Sequence, residues 1–284
     1  MFKSYYYLTK PGIIRGNLIP AIAGFSLASR QTFHVILLFE TLIGISLVIA
    51  CGCVLNNIID RDIDSKMSRT KNRAIVTGKI EIEDAIIYAF CLGLIGLVTL
   101  GIFTNILTVS VGVLGLLFYV VIYGIAKRRT VYGTLVGSIS GALPPVAGYL
   151  AVSNKIDSAA LILFLILVFW QMPHFYAIGI YRIKDYKKAG LPILPIVRGI
   201  VRTKLHILGY IIAYAAATIA LYLYGYTKLW YLIVAIILSG VWFYIGLQGY
   251  RNADVNHWAR NMFRFSLIVL SIECLAITLS GILA

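Results

Sequence analysis

Long apolar runs, separated by short polar segments, dominate the pattern along the chain. Residues 85–126 contain no Asp, Glu, Lys or Arg, a run of 42 positions. One helix crosses the roughly 30 Å hydrocarbon layer with about 20 residues, so this run predicts two spans joined by a turn. The turn is expected at Thr104 and Asn105, where polar residues interrupt the run.

The same reasoning applied to the whole chain predicts nine transmembrane helices. Their expected bounds are about 13–29, 36–59, 85–103, 105–126, 132–153, 158–181, 205–226, 229–249 and 264–283. The runs are continuously apolar and much longer than the roughly ten-residue alternating segments of a β-barrel. The predicted fold class is therefore an all-α polytopic membrane protein, with one transmembrane domain over residues 1–284.

Composition and charge agree with this class. Hydrophobic residues make up 60% of the chain and charged residues only 13%, which excludes an ordinary soluble domain. The net charge of +14 could suggest a nucleic-acid partner, but 22 of the 25 Lys and Arg residues fall on one side of the predicted spans. The positive-inside rule makes that side cytoplasmic. We expect the N-terminus in the cytoplasm and the C-terminus outside, with direct insertion into a prokaryotic inner membrane because no signal peptide precedes the first span.

Two segments of the chain resemble each other. Pro20 and Gly24 are matched by Pro144 and Gly148, at an offset of 124 residues. Four predicted helices separate the copies, so both would run in the same direction. We expect two parallel four-helix repeats, over about 8–126 and 130–250, followed by an extra helix over about 264–283.

Three of the eleven acidic residues lie together at the predicted cytoplasmic end of the second helix. At 100° per residue, Asn56, Asp60 and Asp64 fall within about 80° of one another, whereas Asp62 points away. Carboxylates at this spacing repel each other unless cations lie between them. Carboxylate and amide oxygens without His or Cys suit Mg²⁺. The alternative is a solvated loop that uses its own basic residues, such as Arg61, as counterions.

A second polar cluster lies at the predicted cytoplasmic end of the sixth helix, where Tyr181 and Asp185 are i, i+4 neighbours. Asp185 follows Asp60 by 125 residues, close to the repeat offset, so it would face Asp60 and Asp64 across a shared cavity. A surface salt bridge is the alternative. The basic residues near the two clusters are Arg61, Lys66, Arg69, Lys71, Arg73, Lys127, Arg128, Arg129, Lys184, Lys187 and Lys188. Acids and cations together suit a departing diphosphate, and the apolar helices favour one with a prenyl tail.

Pro173 interrupts the sixth helix within the segment WQMPHF, and His174 follows it. His174 could bind a haem propionate, ligate iron or hydrogen-bond a neighbouring helix. Repeats, a Pro-broken helix and intramembrane acids also occur in secondary transporters, so a transporter is an alternative. Transporter sites usually lie near the bilayer midplane, whereas most ionisable residues here gather at the cytoplasmic ends of helices.

Together these motifs resemble the intramembrane prenyltransferases of the UbiA type. The resemblance covers nearly the whole chain, through 8–19, 56–73, 127–149, 170–175 and 181–195. Asn57 and Tyr181 stand where the aromatic-acid members of the family carry Asp. With WQMPHF, these two replacements make the chain similar to the subgroup that prenylates haem.

The resemblance implies Mg²⁺-dependent transfer of farnesyl from farnesyl diphosphate to a vinyl group of protoheme IX, which gives haem O. The residues carried over as metal ligands and catalytic residues are Asn56, Asp60, Asp64 and Asp185, and Lys127 is a further catalytic candidate. The candidates for diphosphate binding are Arg61, Arg69, Arg73, Arg128, Lys184 and Tyr181, and His174 is the candidate for haem. A haem O product implies a downstream haem–copper oxidase or haem A synthase. The alternative within this class is an aromatic quinone precursor as acceptor.

Overall fold

The computed structural model describes residues 2–30, 32–251 and 253–283, and the regular secondary structure in these ranges is helical. The first helices are α1 (Phe2–Leu8), α2 (Pro11–Ser29), α3 (Val35–Ile59), α4 (Arg61–Lys66), α5 (Ile82–Phe103), α6 (Ile106–Leu116), α7 (Tyr123–Arg129), α8 (Gly133–Gly141) and α9 (Leu143–Ser153). A π-helical segment, Leu117–Ile122, joins α6 to α7. The remaining helices are α10 (Ser158–Tyr181), α11 (Ile183–Lys188), α12 (Leu194–Val197), α13 (Gly199–Leu223), α14 (Leu229–Gln248) and α15 (Val255–Ile282).

In these described ranges, eight helical stretches are long and apolar enough to cross a membrane. They are α3, α5, α6 to α7, α8 to α9, α10, α13, α14 and α15. The all-α membrane fold is therefore confirmed, and these stretches match eight of the nine predicted spans. The remaining predicted span, 13–29, does form helix α2, but Arg15 and Asn17 make its first turns too polar for it to join this set.

Some predicted boundaries are confirmed and others are wrong. The expected turn after α5 is present, and Asn105 caps α6 by accepting a 3.0 Å hydrogen bond from the Thr108 amide. The predicted span 132–153 is broken at Ala142, just before the two prolines that open α9. Helix α15 begins at Val255, well before residue 264, because the Asp254 carboxylate caps it. Apolar runs locate the hydrocarbon-spanning part of a helix, whereas its ends continue into polar sequence.

Helices α2 and α9, which carry the two copies of the repeated Pro and Gly positions, lie in backbone contact. A Cβ atom added at Gly24 would overlap the carbonyl of Pro145, and one added at Gly148 would overlap the carbonyl of Ala21. Gly148 lies 124 residues after Gly24, and Pro145 lies 124 residues after Ala21. The two contacts are therefore related by the same offset as the repeated segments. Small residues allow such close helix packing in membranes. Each repeated glycine therefore packs against the backbone of the helix that carries the other one.

We expect Gly24→Ala to destabilise the protein, because its methyl group would force α2 and α9 apart. Overpacking of this kind costs about 1–3 kcal/mol. The measurement is the thermal unfolding temperature of the purified protein in detergent. Gly240→Ala is the matched control: Gly240 lies within α14, and a Cβ there meets nothing within 4 Å. Equal unfolding temperatures for the two variants would contradict this account of the packing.

Two short helices, α4 and α11, follow the ends of α3 and α10 and bring the two polar clusters of the sequence together. We call residues 60–81, between α3 and α5, the first loop, and residues 182–193, between α10 and α12, the second loop. Ile63 and Met67 from the first loop pack against Ala189 and Leu191 from the second. This apolar contact fixes the position of the first acidic cluster relative to the segment after α10.

Candidate active site

A cavity of about 600 Å³ opens among the helices and contains most of the residues predicted to carry chemistry. Its lining along α3 runs from apolar Ile45 to polar Asn56, and Asp60 follows at the end of the helix. The charged lining residues are Lys10, Asp60, Asp64, Arg69, Arg73 and Lys127, and the uncharged polar ones are Asn17, Asn56, Thr130, Thr134, Ser140, Gln171 and His174. The aromatic lining residues are Tyr119, Tyr123, Trp170, Phe175, Tyr176 and Tyr186. The cavity therefore has a charged region at the ends of its helices and a largely apolar interior.

The acidic stripe follows the predicted helical spacing. The Asp60 amide donates to the Asn56 carbonyl (3.0 Å), and the Asp64 amide donates to the Asp60 carbonyl (2.7 Å), so the i, i+4 pattern continues from α3 into α4. Asn56, Asp60 and Asp64 all line the cavity. Asp62 lies outside it, with 55% of its side chain exposed.

A cation contacts each side chain of the stripe formed by Asn56, Asp60 and Asp64. Lys10 Nζ donates to Asn56 Oδ1 and Lys127 Nζ donates to Asp60 Oδ2, both over 2.6 Å. Arg73 Nη1 donates to Asp64 Oδ2. These pairs compensate the like-charge repulsion that the spacing of the carboxylates creates.

Lys10 is a functional candidate that the sequence did not single out, because it counted there only as a positive-inside charge. It precedes Pro11 in a left-handed backbone conformation (φ 54°), which turns the chain into α2. Asn57 Nδ2 holds this turn by donating to the Leu8 carbonyl over 2.8 Å. Burial lowers the pKa of Lys10 to about 8. The only sequence signal was its place in the segment LTKPG.

The donor set is suitable for Mg²⁺ together with a diphosphate. Asp60 Oδ1 is buried without a hydrogen-bond partner, and its neighbour Arg128 Nη2 lies 3.6 Å away. Among the described residues, no three of His, Cys, Asp or Glu come together as a metal cage. Mg²⁺ usually needs only one or two carboxylates because waters and substrate phosphates supply its other ligands. Two carboxylates and an amide oxygen meet that requirement.

The predicted basic residues divide between the cavity and the outer surface. Arg69, Arg73 and Lys127 line the cavity. Arg61 and Lys184 are exposed outside it. Arg128 forms two 2.8 Å hydrogen bonds to Asp62, which lower the pKa of that carboxyl to about 2. Lys127 and Arg128 are adjacent in sequence, but Lys127 binds Asp60 at 2.6 Å, whereas Arg128 binds Asp62 and lies 3.6 Å from Asp60.

The second acidic cluster takes a different position from the one expected. Asp185 is not among the residues lining the cavity; its Oδ1 accepts a 2.9 Å hydrogen bond from Ser68 Oγ in the first loop. Tyr181 packs against Phe263 and also stays outside the lining. Tyr186, one residue after Asp185, does line the cavity, and burial raises its pKa. In this structure Asp185 connects the two loops.

His174 lies in the cavity wall and is 8% exposed. Helix α10 continues through Pro173, so the proline does not unwind the backbone at this point. The imidazole stacks on Trp170, with ring centroids 4.8 Å apart, and its Nδ1 lies 2.7 Å from Ser266 Oγ on α15. The hydrogen bond to a neighbouring helix, one of the three predicted alternatives, is therefore present. Ser266 was not predicted, because nothing in the local sequence connects it to α10.

Comparisons with known proteins agree with this architecture. The UbiA prenyltransferase family matches residues 17–268. The chain is 52% identical over 273 residues to a protoheme IX farnesyltransferase of Pectobacterium carotovorum subsp. carotovorum (strain PC1), covering 95% of this chain and 92% of the relative. It is 52% identical over 272 residues to the protein of the same name from Escherichia coli O139:H28 (strain E24377A / ETEC), with the same coverage.

Solved structures have the same fold. A digeranylgeranylglyceryl phosphate synthase superimposes with a TM-score of 0.82 at 22% identity, over 100% of this chain and 99% of that one. A UbiA homologue from Archaeoglobus fulgidus bound to GPP and Mg²⁺ gives 0.69 at 16% identity, over 97% and 99%. The family match spans most of the sequence, and the curated relatives share about half of their residues with it. The chain therefore belongs to the UbiA prenyltransferase family.

Proposed function

We propose that this enzyme transfers the farnesyl group of farnesyl diphosphate to a vinyl group of protoheme IX, giving haem O and diphosphate. The observation that carries the proposal is the 52% identity, over 95% of the chain, to protoheme IX farnesyltransferases. The cavity provides independent support, because it combines cations and carboxylates with a long apolar interior. A prenyl diphosphate has the same division between a charged head and an apolar tail.

The charged region would bind the diphosphate. Arg69, Arg73 and Lys127 supply cations that stabilise the negative charge developing as the C–O bond of farnesyl diphosphate breaks and its electron pair leaves with diphosphate. Asn56, Asp60 and Asp64 would hold Mg²⁺, as the oxygen donor set and the buried Asp60 Oδ1, which accepts no hydrogen bond from the described residues, suggest. When bound, this ion would neutralise part of the charge of the leaving group. A UbiA homologue that binds GPP and Mg²⁺ has the same fold.

The aromatic wall would protect the reacting carbon. Tyr119 and Tyr123 stack with their ring centroids 6.0 Å apart, and both rings lie in the cavity lining next to the charged region. Ring faces attract cations, and an apolar wall excludes water from an allylic cation. The electron-rich vinyl group then forms the new C–C bond. Water adds to the resulting haem-side cation and loses a proton, which completes the hydroxyl group.

We also propose that the enzyme lies in a bacterial inner membrane, with its N-terminus in the cytoplasm and its C-terminus outside. The distribution of Lys and Arg supports this orientation, since 22 of 25 fall on the same side of the spans. The diphosphate site would then face the cytoplasm.

The test is mass spectrometry of haem extracted after the purified protein has been incubated with protoheme IX and farnesyl diphosphate. We expect a product heavier by one farnesyl group and one water, formed with Mg²⁺ and lost when a chelator is added. Boiled protein and omission of farnesyl diphosphate are the controls.

If intact protein gives no such product, the proposed acceptor is wrong. Aromatic quinone precursors would then be tried as acceptors in the same assay. Solute flux in liposomes would test the transporter alternative.

A further inference from the structure

The surroundings of His174 determine which of its ring nitrogens carries a hydrogen. Its imidazole is held on several sides: Trp170 stacks on it, and Phe263 lies against it with ring centroids 5.0 Å apart. Trp170 is itself fixed, since its Nε1 donates to the Ser266 carbonyl over 2.8 Å. The ring therefore has one orientation, and its two nitrogens have different surroundings.

Ser266 determines which nitrogen carries the hydrogen. Its hydroxyl has a single hydrogen, and Oγ lies 2.6 Å from the Phe263 carbonyl oxygen, which can only accept. Two oxygens this close repel unless a hydrogen lies between them, so Ser266 donates to Phe263. Oγ must then accept at its other contact, the 2.7 Å approach to His174 Nδ1. Nδ1 therefore carries a hydrogen, and burial of the ring favours the neutral form of His174, in which Nε2 carries none.

The other nitrogen, Nε2, then carries a free lone pair. Within the described ranges no group lies within hydrogen-bonding distance of Nε2, and the atom keeps its access to the cavity. A haem propionate would meet this lone pair with its own negative charge, without a hydrogen to share. A metal ion is the partner that an unprotonated Nε2 favours.

We infer that Ser266 is a positioning residue that holds His174 in the Nδ1–H form, so that Nε2 binds the iron of the haem substrate. This inference rests on the proposed function, because it assigns the contact that the acceptor makes. Histidines that ligate metals almost always donate their other ring N–H to a fixed acceptor, as His174 does here to Ser266. Iron ligation would fix the macrocycle in the same cavity that holds the acidic stripe.

The experiment compares two probes in the full-length protein in detergent: ferric protoheme IX and iron-free protoporphyrin IX. Both carry the propionates, but only the first carries iron. We expect His174→Ala to weaken ferric protoheme binding by at least about ten-fold and to remove the histidine-ligated Soret and EPR signals. We expect Ser266→Ala to weaken it by about ten-fold, as loss of the residue that orients a ligating histidine does elsewhere. Both variants should bind protoporphyrin IX as the wild type does.

Ser280→Ala is the matched control, since Ser280 is also buried in α15 but its hydroxyl has no partner among the described residues. It should leave the ferric protoheme spectrum and affinity unchanged, and Ser266→Thr, which keeps the hydroxyl, should restore the ligated spectrum. Retained farnesyl diphosphate binding shows that each variant is folded.

An equal loss of both porphyrins in His174→Ala would overturn the inference in favour of a propionate contact. An unchanged iron spectrum in Ser266→Ala would also overturn it. If the wild type forms haem O while either result holds, only this inference fails. If the wild type binds neither porphyrin and forms no haem O, the proposed function fails with it.

Discussion

Replacing Asp60 by Asn is expected to lower kcat/KM for farnesyl transfer by about 10²- to 10³-fold, the usual cost of removing one group that stabilises charge in a transition state. Asn keeps the size of the side chain and removes the charge at the centre of the acidic stripe. One carboxylate oxygen of Asp60 accepts from Lys127, and the other is buried without a hydrogen-bond partner. If this second oxygen binds Mg²⁺, the variant also needs more Mg²⁺ for half-maximal activity. Initial rates measured over a range of Mg²⁺ concentrations test both effects.

Asp62→Asn is the matched control for this substitution. Asp62 lies in the same short segment, but it is exposed and bound to Arg128 outside the cavity. We expect its activity and Mg²⁺ requirement to stay within about two- to three-fold of the wild type, as for a surface ion pair. If Asp60→Asn and Asp62→Asn lose activity to a similar extent, the carboxylates that face the cavity have no special role in the reaction.

The parts of this site that the sequence predicts are those that depend on local periodicity. Asn56, Asp60 and Asp64 share one helical face, and the structure places all three in the cavity wall, while Asp62 faces away. Helical geometry alone determines this arrangement, because the i, i+4 spacing continues from α3 into α4. The membrane helices were predicted from the length of the apolar runs, which is likewise a local property of the sequence.

Contacts between distant segments could not be predicted in this way. Lys10 reaches Asn56 across 46 residues, and His174 reaches Ser266 across 92. Neither contact leaves a periodic signal in one sequence, since each depends on how whole helices pack. Asp185 shows the same limit: its spacing from Asp60 placed it correctly in the second loop, but only the packing of the loops shows that it binds Ser68.

The reciprocal glycine contacts between α2 and α9 are an intermediate case. The repeated Pro and Gly positions were visible in the sequence, and their offset reappears in the contacts between Gly24 and Pro145 and between Gly148 and Ala21. Similarity alone could not show that the two copies touch. We propose that the two repeats form one domain around this contact, with the largest hydrophobic cluster shared between them.

The second large effect is expected at two adjacent cations. Lys127→Met removes a charge inside the cavity and keeps the length of the side chain, and we expect it to lower kcat/KM with farnesyl diphosphate by about 10²-fold. Arg128→Met removes a charge that hydrogen-bonds Asp62 outside the lining and lies 3.6 Å from Asp60 Oδ1, and we expect a smaller loss, below about five-fold. Initial rates for both variants at saturating haem give the comparison. If the two variants lose activity equally, a cation in the cavity lining contributes no more to catalysis than one outside it.

Lys127 also allows a test in which the affinity for Mg²⁺ and the turnover rate are expected not to fall together. In the structure its ammonium contacts Asp60 Oδ2, an oxygen that would otherwise be free for a divalent ion. Removing this competing cation leaves Asp60, among the described residues, with only the 3.6 Å contact to Arg128 as compensation, so Lys127→Met should bind Mg²⁺ at least as tightly as the wild type although it turns over slowly. Asp60→Asn should instead weaken both metal binding and turnover. Mn²⁺ binding followed by EPR separates the two cases, and weaker Mn²⁺ binding by Lys127→Met would show that Lys127 supports the metal site and does not compete with the ion for Asp60.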